Sequence, residues 1–202
     1  MPPRFVARQL ARPTGIFGRL MGKLMNRHNA RLNAFAVQQL ELRPSDRVLE
    51  IGFGGGVTLR QLVKDAAFVG GIDRSGDAVR WAKAAFSAPA TARRVDFREG
   101  SVEAIPFEAA SFDKVCTVNS VYFWPSLDAG FTEIRRVLSP SGRVAVGFLP
   151  KVWMDQMGFP VDIFTTRSPE EVLAALANTG FREARITRPE PTTRWNVIVA
   201  TR

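Results

Sequence analysis

The chain has 202 residues, 46% hydrophobic and 23% charged, which are the values of a globular domain with a core of its own. No apolar run reaches the ~18 residues that span a bilayer. One histidine and one cysteine, without ligand spacing, exclude a zinc centre, and the lone Cys116 excludes an internal disulfide, so a reducing, cytoplasmic setting is expected.

The net charge of +9 is concentrated at the start of the chain. Arg4, Arg8, Arg12, Arg19, Lys23, Arg27 and Arg31 fall within the first forty residues, which contain no acid. From Ile16 to Leu40 the pattern has a helical period: Ile16, Phe17, Leu20, Met21, Leu24, Met25, Leu32 and Phe35 share one broad face. Arg19, Lys23, Arg27 and Arg31 flank that face, and Gly18, Gly22, Asn26, Asn29 and Asn33 lie opposite. Three readings of this arm stand side by side. It packs on the body as an ordinary helix, it closes a substrate pocket with its apolar face, or it rests on an anionic membrane surface through residues 4–31. An acid-free, arginine-rich arm also resembles a transit peptide. His28, in the middle of the apolar face, is a candidate catalytic residue and equally a packed one. Pro44-Ser45-Asp46 marks the boundary between the arm, residues 1–43, and a main domain, residues 44–202.

The body alternates strand and helix patterns. Strands are expected near 46–51, 68–72, 94–98, 113–119 and 142–149, and helices over 56–66, 76–87, 126–138 and 168–179. Residues 183–188 and 194–201 read as two more strands around the break Pro189-Glu190-Pro191. The fold class is therefore α/β, Rossmann-like, with a mostly parallel sheet covered on both faces. Ligands of such sheets sit beyond the carboxyl ends of the strands.

The first strand ends in Glu50-Ile51-Gly52-Phe53-Gly54-Gly55-Gly56, a carboxylate followed by a run of glycines before a helix. Glycines there let the backbone turn tightly and approach a ligand, and the next helix offers its amides to the same space. The dinucleotide pattern needs a third glycine where Val57 stands, and Glu50 would repel a pyrophosphate. A nicotinamide-dependent oxidoreductase is thus the weaker alternative. Asp73 closes the second strand about 20 residues further on, the position of a ribose-binding acid, and it also suits a helix N-cap.

The run Glu50 to Gly56, the segment Glu99-Gly100-Ser101-Val102-Glu103-Ala104-Ile105-Pro106-Phe107 with Ser111-Phe112-Asp113-Lys114-Val115, and Arg135-Arg136-Val137-Leu138-Ser139-Pro140-Ser141-Gly142 resemble, in order and spacing, class I methyltransferases that use S-adenosylmethionine. The resemblance is to the type 11 and ubiquinone-biosynthesis-like members, and runs from about residue 40 to the C-terminus. It implies a seven-stranded sheet ending in an antiparallel hairpin, and S-adenosyl-L-methionine as cofactor. It implies a cofactor set of Glu50, Gly52, Gly54, Gly55, Asp73, Arg74, Ser101, Val102 and Asn119. Ser101 stands where the family usually places an acid toward adenine, and Ser141 replaces a glycine of a turn.

The resemblance also puts the loop Asn119-Ser120-Val121-Tyr122-Phe123-Trp124-Pro125 beside the transferred methyl group, with Asn119 and Tyr122 facing the acceptor. The tract Val152 to Phe159 is expected to form the opposite wall. The greasy, basic arm favours an amphiphilic or lipid-like small-molecule acceptor, against a soluble metabolite. Nucleic acid is disfavoured as a partner because the basic residues form one arm and do not line the rim. A cofactor-binding regulator without turnover is the third reading, and the sequence fixes no oligomeric state.

Overall fold

A computed structural model describes residues 3–202, with the side chains of Lys23, Asn26, Arg27 and His28 outside the description. The expectation for His28 as a catalytic residue therefore lies outside the described residues.

The chain opens with three helices, α1 (Arg4–Ala11), α2 (Gly15–His28) and α3 (Ala30–Gln39). Strands and helices then alternate through β1 (Arg47–Ile51), α4 (Val57–Asp65), β2 (Phe68–Asp73), α5 (Gly76–Ala85), the short α6 (Pro89–Ala92) and β3 (Val95–Glu99). The second half runs β4 (Phe112–Val118), α7 (Leu127–Val137), β5 (Leu138–Phe148), α8 (Lys151–Met154), α9 (Pro169–Asn178), β6 (Arg182–Thr187) and β7 (Asn196–Thr201).

The strands form one sheet in the order β3-β2-β1-β4-β5-β7-β6. The five strands from β3 to β5 are parallel, and β7 runs antiparallel between β5 and β6. Strands buried on both faces need apolar side chains on both, so β1 alternates between two cores. Leu49 and Ile51 join the layer under α7 and α9, whereas Val48 joins the layer under α3, α4 and α5. After β1 the chain adds β2 and β3 on one side, then crosses to add β4 and β5 on the other. The gap between the carboxyl ends of β1 and β4 is therefore the topological switch point, where the diverging loops leave a crevice.

Helix starts follow local chemistry. Ser75, Ser126 and Ser168 accept hydrogen bonds from Ala78, Ala129 and Glu171 amides at the heads of α5, α7 and α9, and Glu171 completes a capping box. The cap of α5 is Ser75, not Asp73 as the sequence suggested. Two further expectations change. The strand expected from 142 begins at Leu138, because the Leu138–Ser141 stretch extends as a bulged edge beside Phe112, and Ser141 is exposed there. The single arm helix expected from Ile16 to Leu40 is broken at Asn29, whose φ of −92° and ψ of 5° leave the helical basin. A separate helix, α1, precedes it; its eight residues are too few to carry a convincing period alone.

The break at Asn29 divides the arm's labour. α3 buries Leu32, Ala36 and Val37 in the core beside α4, β4 and β5. α1 and α2 fold back over the carboxyl ends of the parallel strands.

Candidate functional site

The loop after β1 and the loop after β4 face each other across the switch point. Gly52 has φ of +71°, and a Cβ placed there would sit 2.7 Å from Ser120 Cβ. Only glycine satisfies both the left-handed backbone and that close approach. Gly54, also at positive φ, faces open space, so its backbone is presented to the crevice. The Gly54 amide donates to Asp73 Oδ2 at 2.8 Å, and the Ser75 amide donates to Asp73 Oδ1 at 2.8 Å. Asp73 thus ties the glycine loop to the end of β2, while each of its oxygens retains a lone pair for a ligand. Burial raises its pKa, and the two amides together with Arg12 and Arg74 oppose the rise.

Glu50 is the most perturbed group at the site. Its side chain is buried, and burial pushes its pKa to about 8; the Thr58 hydroxyl works against that shift, and the nearby Asp73 charge adds to it. Its Oε2 finds no hydrogen-bond partner among the described residues. A buried carboxylate oxygen with no donor is expensive unless a ligand supplies one. Glu50 sits on the wall of the cavity, so that donor has a route in.

On the other side of the crevice Asn119 adopts φ of +55°, which asparagine tolerates better than most residues. Its amide donates to Gly147 O at 2.8 Å, and its Oδ1 accepts from the Tyr122 hydroxyl at 3.3 Å. The Tyr122 hydroxyl also accepts from the Leu149 amide at 2.6 Å and lies 3.1 Å from Leu149 O. Burial raises the phenol well above its usual range. Tyr122 therefore presents its ring to the cavity and uses its oxygen to pin the β5–α8 connection.

Two connected chambers result. The larger, ≈ 230 Å³, is walled in part by Glu50, Gly52, Gly54, Gly55, Thr58, Asn119 and Tyr122. The rest of its lining is largely apolar and includes Met21, Met25, Phe123, Leu149, Met154, Met157, Phe159 and Phe164. The smaller, ≈ 90 Å³, is bounded by Asp73, Arg74, Ser101, Val102, Ser120 and Trp124. Gly52, Gly54, Asn119 and Phe123 border both. The sequence-predicted residues Glu50, Gly52, Gly54, Gly55, Asp73, Arg74, Ser101, Val102, Asn119 and Tyr122 are thus gathered around one crevice. Arg74 bridges it, donating to Phe123 O at 3.3 Å.

The tract after β5 supplies a wall as expected, through Met154, Met157 and Phe159, although Trp153 turns away to lie under Arg194. The aromatic loop divides likewise. Phe123 faces both chambers, whereas Trp124 borders only the smaller and packs on Phe131 with its indole N–H on Ser120.

The arm closes the crevice with only part of the face the period suggested, joined by small and amide residues from the opposite side. Met21, Gly22, Met25, Asn29 and Asn33 line the large chamber, while Ile16, Leu20 and Leu24 are exposed. A Cβ on Gly22 would lie 3.3 Å from Gly55 Cα, so the small face is the one that fits against the glycine loop. The connection between α1 and α2 is strapped down at three points. The Ser75 hydroxyl donates to Pro13 O, the Gly15 amide donates to Asp77 Oδ2 at 2.7 Å, and Arg12 pairs with Glu99 at 3.3 Å. Gln9, Leu10, Pro13, Asn29 and Asn33 are lining residues that sequence reasoning did not find; the only signal was the string of small and amide residues opposite the apolar stripe. Among the described residues no group of three His, Cys, Asp or Glu side chains is placed to hold a metal, and no helix is long and apolar enough to cross a membrane.

Fold and site together define a nucleoside-binding α/β enzyme whose loops carry acids where a phosphate binder would not. Comparison with known proteins narrows this. The family model described as a methyltransferase domain matches residues 49–146. An uncharacterized methyltransferase of Bacillus subtilis is 33% identical over 139 residues, covering 65% of this chain and 72% of the relative. A ubiquinone/menaquinone biosynthesis C-methyltransferase of Geotalea daltonii is 32% identical, covering 55% of this chain and 49% of its own length. A crystal structure of an S-adenosylmethionine-dependent methyltransferase from Aquifex aeolicus superposes with a TM-score of 0.74 at 19% identity, over 91% of this chain and 97% of that one. The chain belongs to the class I S-adenosylmethionine-dependent methyltransferases, and S-adenosylmethionine is its cofactor.

The residues fit that group. It carries an ammonium for an orphaned carboxylate oxygen, ribose hydroxyls for the second acid, and no phosphate to clash with either.

Proposed function

We propose that this enzyme transfers a methyl group to an amphiphilic or lipid-like small molecule, and that α1 and α2 of the N-terminal arm act as the lid over the reaction chamber. The observation that carries the reading is the lining of the large chamber: four methionines and several aromatics share its wall with the acid and the glycine loop. Methionines adapt to irregular apolar ligands, so such a wall selects for grease more than for a defined shape.

In this reading Glu50, Gly52, Gly54 and Gly55 hold the aminoacyl end of the cofactor, Asp73 and Arg74 the ribose, and Ser101 and Val102 the base. When bound, the cofactor supplies an electrophilic methyl on a sulfonium, a leaving group that needs no protonation. The chain's own task is to orient and to dehydrate. Asn119, held at a left-handed φ between the two chambers, offers its side-chain amide to the acceptor, and Phe123 packs on the same boundary. Tyr122 positions Asn119 through its hydroxyl. Orientation of this kind is worth ~7–11 kcal/mol of a barrier, so no strong base is required.

The chain spans about half or less of several relatives, among them a sterol 24-C-methyltransferase of Gibberella zeae (30% identical, 32% of its length) and a fatty-acid O-methyltransferase of Mycolicibacterium smegmatis (29% identical, 42% of its length). Their acceptors are consistent with a lipid-like one here. The test is isotope-labelled methyl transfer from S-adenosylmethionine into a total cell extract, partitioned into organic and aqueous phases. Label in an organic-phase product supports the reading; label confined to water-soluble acceptors overturns it.

A further inference from the structure

α2 carries opposite assignments on its two sides. Met21 and Met25 line the chamber, whereas Ile16 (90% exposed), Leu20 (64%) and Leu24 (57%) form an i, i+4, i+8 stripe facing away from it. Phe17 widens the stripe and packs, tilted, at 4.7 Å between ring centroids against Phe5, itself more than half exposed. Arg4, next to Phe5, pairs with Asp162, which brings Val161 (88% exposed) to the same end of the arm. The exposed apolar side chains of the arm are thus tied, through Arg4 and Asp162, to the segment that bears the exposed Val161.

Charge identifies what this patch meets. Residues 4–31 carry seven cationic side chains and no acid. Arg4, Arg12 and Arg31 pair with acids of the body, and the other described cations of the segment are left for headgroups. A purely apolar patch would suit a second copy of this chain, and a purely basic one would suit nucleic acid. An apolar stripe set in an acid-free basic segment is the composition that an anionic lipid interface takes up, apolar groups in the acyl boundary and cations at the headgroups.

We infer that α1, α2 and the loop around Val161 form a docking face for an anionic lipid bilayer, with the reaction chamber directly behind α2. The docking face stands on its own exposures and charges; its use, drawing an amphiphilic acceptor from the bilayer, rests on the methyl-transfer reading above.

The test is co-sedimentation of the full chain with vesicles of phosphatidylcholine alone and of phosphatidylcholine mixed with phosphatidylglycerol, at low and high salt. Binding is expected only to the mixed vesicles and is lost as salt screens the headgroups. Leu20→Glu with Leu24→Glu lowers the partition coefficient by roughly tenfold or more, since burying one leucine alone is worth about that factor. Circular dichroism and S-adenosylhomocysteine binding confirm that the double variant is folded. If it is not, the lipid and salt dependence of the wild-type chain decides alone. Equal binding to both vesicle types, no binding to either, or a salt-insensitive dimer by light scattering that stays off the vesicles would each overturn the inference. Loss of turnover with docking intact would count against the proposed acceptor only, not against the docking face.

Discussion

Replacing Glu50 by glutamine should stabilise the ligand-free protein at neutral pH while crippling cofactor binding. A carboxyl group held at a pKa of about 8 in the folded state, against 4.5 in the unfolded chain, keeps a proton that unfolding releases. Raising the pH therefore favours the unfolded state, and the stability present below pH 4.5 is lost progressively as pH rises to about 8. At 1.36 kcal/mol per pKa unit the loss is about 3 kcal/mol by pH 7 and about 5 kcal/mol in total, as order-of-magnitude values. Glutamine keeps the shape of the protonated side chain and has no such slope.

The assay is thermal and urea unfolding of both proteins at two pH values without ligand. Near pH 5 the two should agree within about 1 kcal/mol, and near pH 7 the variant should be more stable by about 3 kcal/mol, or roughly 6–12 °C in a domain of this size. S-adenosylhomocysteine should raise the melting temperature of the wild type and leave the variant nearly unmoved, because removing one partner of a buried charge pair costs at least ~2 kcal/mol of binding. A stability difference that is the same at both pH values, or a variant less stable at pH 7, would refute the claim that Glu50 is a strained, ligand-awaiting carboxyl.

Three further outcomes follow from the same geometry. Tyr122→Phe leaves the partly buried Leu149 amide without its acceptor and should cost about 1–3 kcal/mol in urea unfolding, while the wild-type rate profile shows no phenol titration below pH 10, since burial holds that group higher. Gly52→Ala forces a side chain into a left-handed backbone against Ser120 and should cost about 1–3 kcal/mol of stability and weaken S-adenosylhomocysteine binding by calorimetry. Arg12→Ala should change stability by less than ~1 kcal/mol, because its pair with Glu99 is exposed, yet speed S-adenosylhomocysteine release in stopped flow by loosening the strap. An unchanged release rate would show that the strap does not gate the site.

The strands were legible because their apolar runs are bounded by turn residues and buried on both faces, so each of the expected strands lies within a few residues of an observed one. The cofactor crevice was legible for a related reason. Glu50 and Asp73 close β1 and β2, and the topology brings such strand ends together regardless of detail.

The arm was not legible, and the reason is physical. Periodicity places apolar residues inward, but the surface that α2 meets is a glycine loop, which only a small face can approach, as Gly22 against Gly55 shows. The periodic face therefore splits: Met21 and Met25 line the chamber while Ile16, Leu20 and Leu24 stay exposed, and the lining role of Asn29 and Asn33 on the opposite side carries no apolar signal. The role of Asp73 was legible only in part. Its two oxygens already hold backbone amides, a local bond pattern that depends on the exact path of the glycine loop.

The central claim is that the crevice at the β1–β4 gap holds a sulfonium nucleoside with its ammonium on Glu50. Titration calorimetry with S-adenosylhomocysteine, repeated near pH 7 in buffers of different ionisation enthalpy, tests it most directly. The account predicts one site per chain, proton release to the buffer as Glu50 ionises against the incoming ammonium, and no heat of binding from NAD. Saturable binding of NAD, or binding of S-adenosylhomocysteine with no proton released, would contradict it.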